Sequence, residues 1–198
     1  MEFTEQFLAD TAEIVRQLDR SAVRAMVQLI VETRAAGGRI FFLGCGGGAG
    51  HASHAVNDFR LLAGIPSFPP TDNVSELTAR INDDGWDGAY AAWLEQFAPG
   101  KQDLVFVFSV GGGSVEHGLS VNIVRALELG RARGARITGV VGRDGGTTAR
   151  LADACVVVPT VRPESVTAQT ESIQAVVWHL LVSHPEINRR KMRWESND

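Results

Sequence analysis

Little in this chain of 198 residues points towards disulfides, a membrane or a nucleic acid. Cysteine is scarce, and Cys45 and Cys155 stand too far apart for a paired motif. They read as two thiols in a reducing compartment. No run of about 18 apolar residues occurs, so no membrane span is expected. The opening Met1-Glu2-Phe3-Thr4-Glu5 is acidic and lacks a basic n-region, so no signal peptide is expected. A formal net charge of −4 argues against a nucleic-acid footprint. One basic cluster, Arg189, Arg190, Lys191 and Arg193, sits in the tail and reads as a solvated terminus. Aromatics make up 7% of residues, with one Tyr. These absences predict a soluble cytoplasmic protein without nucleic-acid or membrane partners.

What is present is 44% hydrophobic and 21 glycines. Residues 1–198 form one domain long enough to bury a full core without a disulfide or structural metal. That glycine usage suits an α/β protein with tight backbone turns. Apolar residues at helical spacing predict helices over 2–19 and 21–36, ended by Gly37-Gly38. Arg39-Ile40-Phe41-Phe42-Leu43 predicts a buried strand, followed by a glycine turn at 44–48 and a helix over 49–63. Pro66, Pro69 and Pro70 mark a loop. Short helices follow at 73–81 and 86–97, separated by Asn82-Asp83-Asp84-Gly85. Leu104 to Phe108 is a second strand, running into Ser109-Val110-Gly111-Gly112-Gly113-Ser114 and a helix at about 118–134. Arg136 to Val141 and Cys155 to Val158 complete four strands, and a long helix spans about 167–184 before a polar tail at 185–198. Alternating strands and helices imply βαβ units and a parallel sheet flanked by helices.

Glycine turns at 44–48 and 109–114 each follow a strand and precede a helix. In a doubly wound sheet such turns lie at the carboxyl ends of strands, where ligands bind. Backbone N–H groups beside a helix N-terminus favour an anion there. Glycines that merely turn the chain would give the same pattern once; two turns in corresponding positions favour a phosphosugar. Neither is a Walker sequence, and no clean dinucleotide fingerprint appears. His51, His54 and Asp58 share the helix after the first turn, with His54 and Asp58 on one face. That pair suits a divalent metal or a proton relay, although a surface helix with scattered polar residues has the same spacing. Glu171 and His179 lie about 80° apart around the last helix, so both can border one cleft. In its apolar setting a histidine such as His179 is more often a hydrogen-bonded core residue than a ligand.

The stretch Leu43-Gly44-Cys45-Gly46-Gly47-Gly48-Ala49-Gly50-His51-Ala52-Ser53-His54-Ala55-Val56-Asn57-Asp58 resembles the first motif of the phosphoheptose isomerases, bacterial members of the sugar isomerase (SIS) domain superfamily. That motif reads roughly LGNGGSAADAQHFAAE. Asn82 to Trp86 resembles the family's NDFGY, Ser109 to Ser114 its STSGNS, and Gly142 to Gly146 its GKDGG. Thr170 to His179 is similar to its last helix, RIQEVHIKVIH. The five motifs occur in order and span essentially the whole chain.

The resemblance implies a three-layer α/β/α sandwich with a parallel sheet. It also implies a homotetramer with active sites between subunits, residues 1–36 serving oligomerisation, and one zinc ion per site. The implied reaction is isomerisation of sedoheptulose 7-phosphate to D-glycero-D-manno-heptose 7-phosphate through an enediol(ate). Carried over residue by residue, the metal ligands fall on His54, Asp58, Glu171 and His179, and the acid/base pair on Asp58 and His179. Asp58 and Glu171 replace the family's Glu and Gln, so the set carries one more negative charge, which tightens divalent metal binding and weakens the ion as a Lewis acid. Asp83 is a candidate for a sugar hydroxyl. Gly46, Gly47, Gly48, Ser109, Gly111 and Ser114 are candidates for the phosphate. The family's other loop hydroxyls are absent, and His117, Ser120 and Asn122 are possible replacement donors. Two other readings stay open: a non-catalytic module that binds a phosphosugar or a protein, and an isomerase of a different sugar phosphate.

Overall fold

The computed structural model describes residues 2–190. The first two helices start where side chains satisfy free backbone amides. Glu2 accepts from the Thr4 amide ahead of α1 (Phe3–Gln17). Asp19 accepts from the Ser21 and Ala22 amides ahead of α2 (Arg20–Ala35). Strand β1 (Ile40–Gly44) is buried along its whole length and leads into α3 (Gly47–Asp58). The expected helix over 49–63 is divided: after Asp58 the chain widens into a π-helical turn, Phe59–Ala63, ended by left-handed Gly64.

Between the prolines lies a two-residue strand the sequence pattern did not show, β2 (Ser67–Phe68). Two residues cannot display a period, so only pairing with Ile40 and Phe41 reveals it. Helix α4 (Val74–Glu95) covers both expected short helices. Its interior break is at Gly85, whose φ of 70° and ψ of 163° are not helical. Then come β3 (Leu104–Ser109), α5 (Val121–Ala132), β4 (Arg136–Val141), α6 (Gly146–Leu151), β5 (Ala154–Val157) and α7 (Val166–Ser183). Helix α5 begins later than the sequence suggested, because Ser114 and Leu119 pair across a small turn. Lys191 and Arg193 of the basic cluster, like most of the polar tail, lie outside the described residues.

All strand pairs are parallel, in the order β2-β1-β3-β4-β5, so the sheet has five strands rather than four. Alternate residues serve opposite faces. Ile40, Phe42, Leu104, Phe106 and Phe108 pack with α2, α3 and α7 through Ile30, Val56, Ile173 and Val177. Phe41, Leu43, Val105 and Val107 pack with α4 and α5 through Tyr90, Trp93, Ile123 and Leu127. This is the three-layer α/β/α sandwich expected from the sequence. No helix among the described residues is long and apolar enough to cross a membrane.

The amino ends of β1 and β3 are locked by one charged pair. Asp103 is fully buried and accepts from the Arg39 amide (2.9 Å), from Arg39 Nε (3.1 Å) and Nη2 (2.7 Å), and from the Gly100 amide (3.0 Å). Burial opposes ionisation, but these donors prevail and hold the carboxyl below its usual range. Such a depressed carboxyl contributes stability that is complete above the unfolded value, about 3.9, and is lost as pH falls through the folded value. Asp103→Ala removes the acceptor of these hydrogen bonds and is expected to lower unfolding free energy by about 3 kcal/mol. Urea denaturation at neutral pH measures this, and a loss below about 1 kcal/mol would show that water replaces the carboxylate.

Candidate active site

The carboxyl ends of β1, β3 and β4 face a cavity of about 820 Å³. Its wall takes Cys45 and Gly48 from the first glycine turn, and Ser109, Gly111 and Ser114 from the second. Arg143 and Arg150 come from the segment after β4, and Thr167, Glu171 and Gln174 from α7. Both serines keep a hydrogen to donate while accepting from backbone: Ser109 Oγ from the Gly112 amide (3.0 Å) and Ser114 Oγ from the His117 amide (3.3 Å). Of the suggested replacement donors, His117 and Ser120 line the cavity. Asn122 is fully buried, and its Nδ2 donates to the Cys45 sulfur at 3.3 Å.

The first turn is shaped by what lies over it. Gly46 has φ 54°, and a Cβ on Gly48 would come 2.4 Å from the Phe108 carbonyl oxygen. That contact leaves no room for the serine the family carries there. Gly46 and Gly47 do not line the cavity. A Cβ on Gly47 would stand 2.6 Å from the carboxylate carbon and both oxygens of Glu171. At the N-terminus of α3, then, the neighbouring anion is the protein's own carboxylate, in a position the helix dipole favours.

Beside this cavity a second group converges. His54, Asp58 and His179 each offer a donor atom, and those atoms lie within 4.8 Å of one another. His54 Nε2 is 3.9 Å from Asp58 Oδ2, as residues one turn apart on α3 allow. The π-helical turn begins immediately after Asp58, a local geometry common at functional positions. His179 Nδ1 lies 2.8 Å from the Ala175 carbonyl. A carbonyl only accepts, so Nδ1 carries the proton and Nε2 keeps its lone pair for the cluster. Trp178 stacks on the His179 ring (centroids 3.5 Å apart) and meets the His54 ring edge-on at 4.8 Å.

His179 is exposed rather than a core histidine, because the apolar face of α7 is carried by Ile173, Val177, Trp178 and Leu181. Glu171, two turns earlier, does not join the cluster but lies over Gly47. Asp83 is exposed on α4, where Asn82 Nδ2 donates to it at 2.9 Å, and does not line the cavity. His51 stands between the two groups, near the Glu171, His54 and His179 charges, with its ring 5.9 Å from that of Phe108. Sequence spacing placed it only as a neighbour of His54; the burial that sets its chemistry comes from β3.

The donor set suits a metal. Two imidazole nitrogens and one carboxylate oxygen are the ligand types of a three-ligand Zn²⁺ site with a position left for substrate, and a small side-chain adjustment would bring these three onto one ion. The fit rests on His54, Asp58 and His179, and not on Glu171 in its present position.

The sheet order, the helices on both faces and the glycine turns at the carboxyl edge make this an α/β fold with a ligand cavity at the ends of its strands. A solved phosphoheptose isomerase from Neisseria gonorrhoeae superposes with a TM-score of 0.74 at 23% identity, covering 91% of this chain and 97% of that one. In sequence, the chain is 30% identical over 192 residues to the phosphoheptose isomerase of Paramagnetospirillum magneticum, covering 93% of this chain and 94% of the relative. It is 33% identical over 184 residues to the lincomycin biosynthesis protein LmbN of Streptomyces lincolnensis, covering 89% of this chain but 66% of that longer protein. No family model matches. The chain belongs to the phosphoheptose isomerase family, a family of isomerases.

Burial lowers the His51 value from the usual 6.5, and the nearby Glu171 charge only partly opposes this. His51 is therefore neutral at neutral pH. The unfolded chain takes up a proton near pH 6.5 that the folded chain still refuses, so stability falls as pH drops through that window. NMR titration of the His51 ring should give a midpoint below 6.5, and His51→Gln should lack that part of the acid sensitivity. A midpoint above 6.5 would show that the Glu171 charge outweighs burial.

Proposed function

We propose that this protein is an aldose–ketose isomerase converting sedoheptulose 7-phosphate into D-glycero-D-manno-heptose 7-phosphate. The observation that carries the reading is the convergence of His54, Asp58 and His179 beside the cavity at the carboxyl edge of the sheet. Family membership supplies the reaction class, and the chemistry follows from the side chains. Asp58, a carboxylate next to two imidazoles, takes the proton from C1 of the ketose, adjacent to the C2 carbonyl. That proton passes by way of the free Nε2 of His179 to the C2 oxygen, giving a cis-enediol. Return of a proton to C2 and loss of the C1 hydroxyl proton yield the aldehyde, with no net change in protons or electrons.

His54, Asp58 and His179 would hold the zinc ion. Zinc, when bound, withdraws electron density from the two substrate oxygens and so stabilises the charge that develops on them. Asp58 and His179 are then each either ligand or proton carrier at a given moment, and the two roles are separable by experiment. Ser109 and Ser114, with Gly48 and Gly111, face the phosphate across the cavity. The assembly is a homotetramer with sites between subunits. Phe3, Leu8, Val176 and Leu180 leave large apolar side chains exposed on α1 and α7. The glycine triplet Gly111 to Gly113 favours a second reading, an isomerase of a different sugar phosphate, since it removes hydroxyls the family uses.

The deciding experiment is NMR of the zinc-loaded protein with sedoheptulose 7-phosphate in deuterium oxide. Aldose formation with deuterium at the carbon next to the carbonyl is the expected result. Asp58→Ala and His179→Ala should each slow it by at least about 10²-fold. Equilibrium dialysis should find one zinc per chain, weakened in His54→Ala. Exchange without product would move the assignment to another sugar phosphate. Neither signal from folded, metal-bound protein would defeat the reading.

A further inference from the structure

One fully buried polar group on the cavity wall has no counterpart in the family's last-helix motif, where a histidine stands in its place. Gln174 lies on α7 with no exposed surface. Its Nε2 donates to the Val140 carbonyl at 3.0 Å. A carbonyl cannot donate, so this bond fixes which way round the amide sits and aims Oε1 away from the sheet. Among the described residues Oε1 has no hydrogen-bond partner. Yet Gln174 lines the cavity together with Thr167 and Glu171, which share its face of α7. A buried acceptor left unmatched destabilises the fold, and an apolar residue of equal volume would avoid that loss. A donor brought to Oε1 from the cavity would remove that cost.

We propose that Gln174 is a specificity-determining residue that accepts a hydrogen bond from a hydroxyl of the bound sugar phosphate. The inference rests on the sugar-phosphate reading above and deepens it. The distribution of polar groups around the cavity supports it. On the α7 wall stand two acceptors, the Gln174 oxygen and the Glu171 carboxylate. On the wall after β3 and β4 stand the serine hydroxyls and the Arg143 and Arg150 guanidiniums, together with the Glu116 and Asp144 carboxylates. Neither arginine is in an ion pair among the described residues. The guanidiniums that line the cavity stand on the loop wall, so the phosphate faces the loops and a sugar hydroxyl faces Gln174. Gln174 then reads a hydroxyl, while the loops read the charge.

The test is a cycle between protein and ligand. Dissociation constants are measured by calorimetry for sedoheptulose 7-phosphate, for analogues each lacking one hydroxyl, and for inorganic phosphate, with wild type and with Gln174→Met. In wild type, one deoxy analogue should bind about 10-fold more weakly than the parent. In Gln174→Met that difference should shrink to within about twofold, with inorganic phosphate unaffected. Persistence of the full discrimination in a folded Gln174→Met would overturn the assignment while leaving the isomerase reading intact. Failure of wild type to bind any of the sugar phosphates would overturn both. A measurement on wild type alone guards against a variant that does not fold. The Gln174 side-chain amide resonances should shift on adding the sugar phosphate and not on adding inorganic phosphate, and unchanged resonances at saturation would also sink the assignment.

Discussion

The architecture turns on main chain meeting main chain at the carboxyl edge of the sheet. A Cβ on Gly48 would stand 2.4 Å from the Phe108 oxygen, and one on Gly112 would stand 1.9 Å from the Gly145 oxygen. No side chain fits at either place. The close approach also consumes backbone polarity. The Thr147 and Thr148 amides donate to the Gly113 and Gly112 carbonyls at 2.9 Å, and Thr148 Oγ1 donates to Gly112 at 2.8 Å. Gly112 and Gly113 have φ of 69° and 82°, which glycine adopts without strain. The loops therefore form a rigid rim, and the cavity they enclose is already shaped without a ligand.

Helix α7 links this rim to the imidazole–carboxylate cluster. Thr167, Glu171 and Gln174 face the cavity, Ile173, Val177 and Leu181 face the sheet, and His179 projects beside α3. One helix thus serves three surroundings, each set by its rotation. Replacing the family's Gln by Glu171 has a consequence beyond the charge of a ligand set. A carboxylate is drawn to the positive end of α3, and there it lies over Gly47 instead of beside His54.

Much of the fold was legible in the residues. Strands β1, β3 and β4 read as short apolar runs because a parallel sheet covered on both faces needs no polar alternation. Helices α1 and α2 read from their apolar spacing. What escaped was short or cooperative: β2 has two residues, and the π-helical turn at Phe59–Ala63 differs from an α-helix by one residue in hydrogen-bond reach. The break at Gly85 was visible as a polar, glycine-ended interruption, although the backbone resumes its helix beyond it. In the site, His54 and Asp58 were readable as a pair because four residues on a helix fix their relation. Nothing in the spacing told whether His179 would be core or cluster, since its neighbours in sequence are apolar on both sides.

By itself the sequence determined the α/β class, the two glycine turns and the residue types able to bind metal or move protons, because these follow from local periodicity and side-chain chemistry. Only the tertiary structure decided that His179 meets α3, that Glu171 turns towards Gly47, that Asp83 stays away from the cavity, and that Gln174 is buried with an unmatched oxygen. The physical reason is that each depends on how one helix is rotated and placed against another element across the sheet. That rotation is settled by packing of the whole core and not by any single stretch of chain.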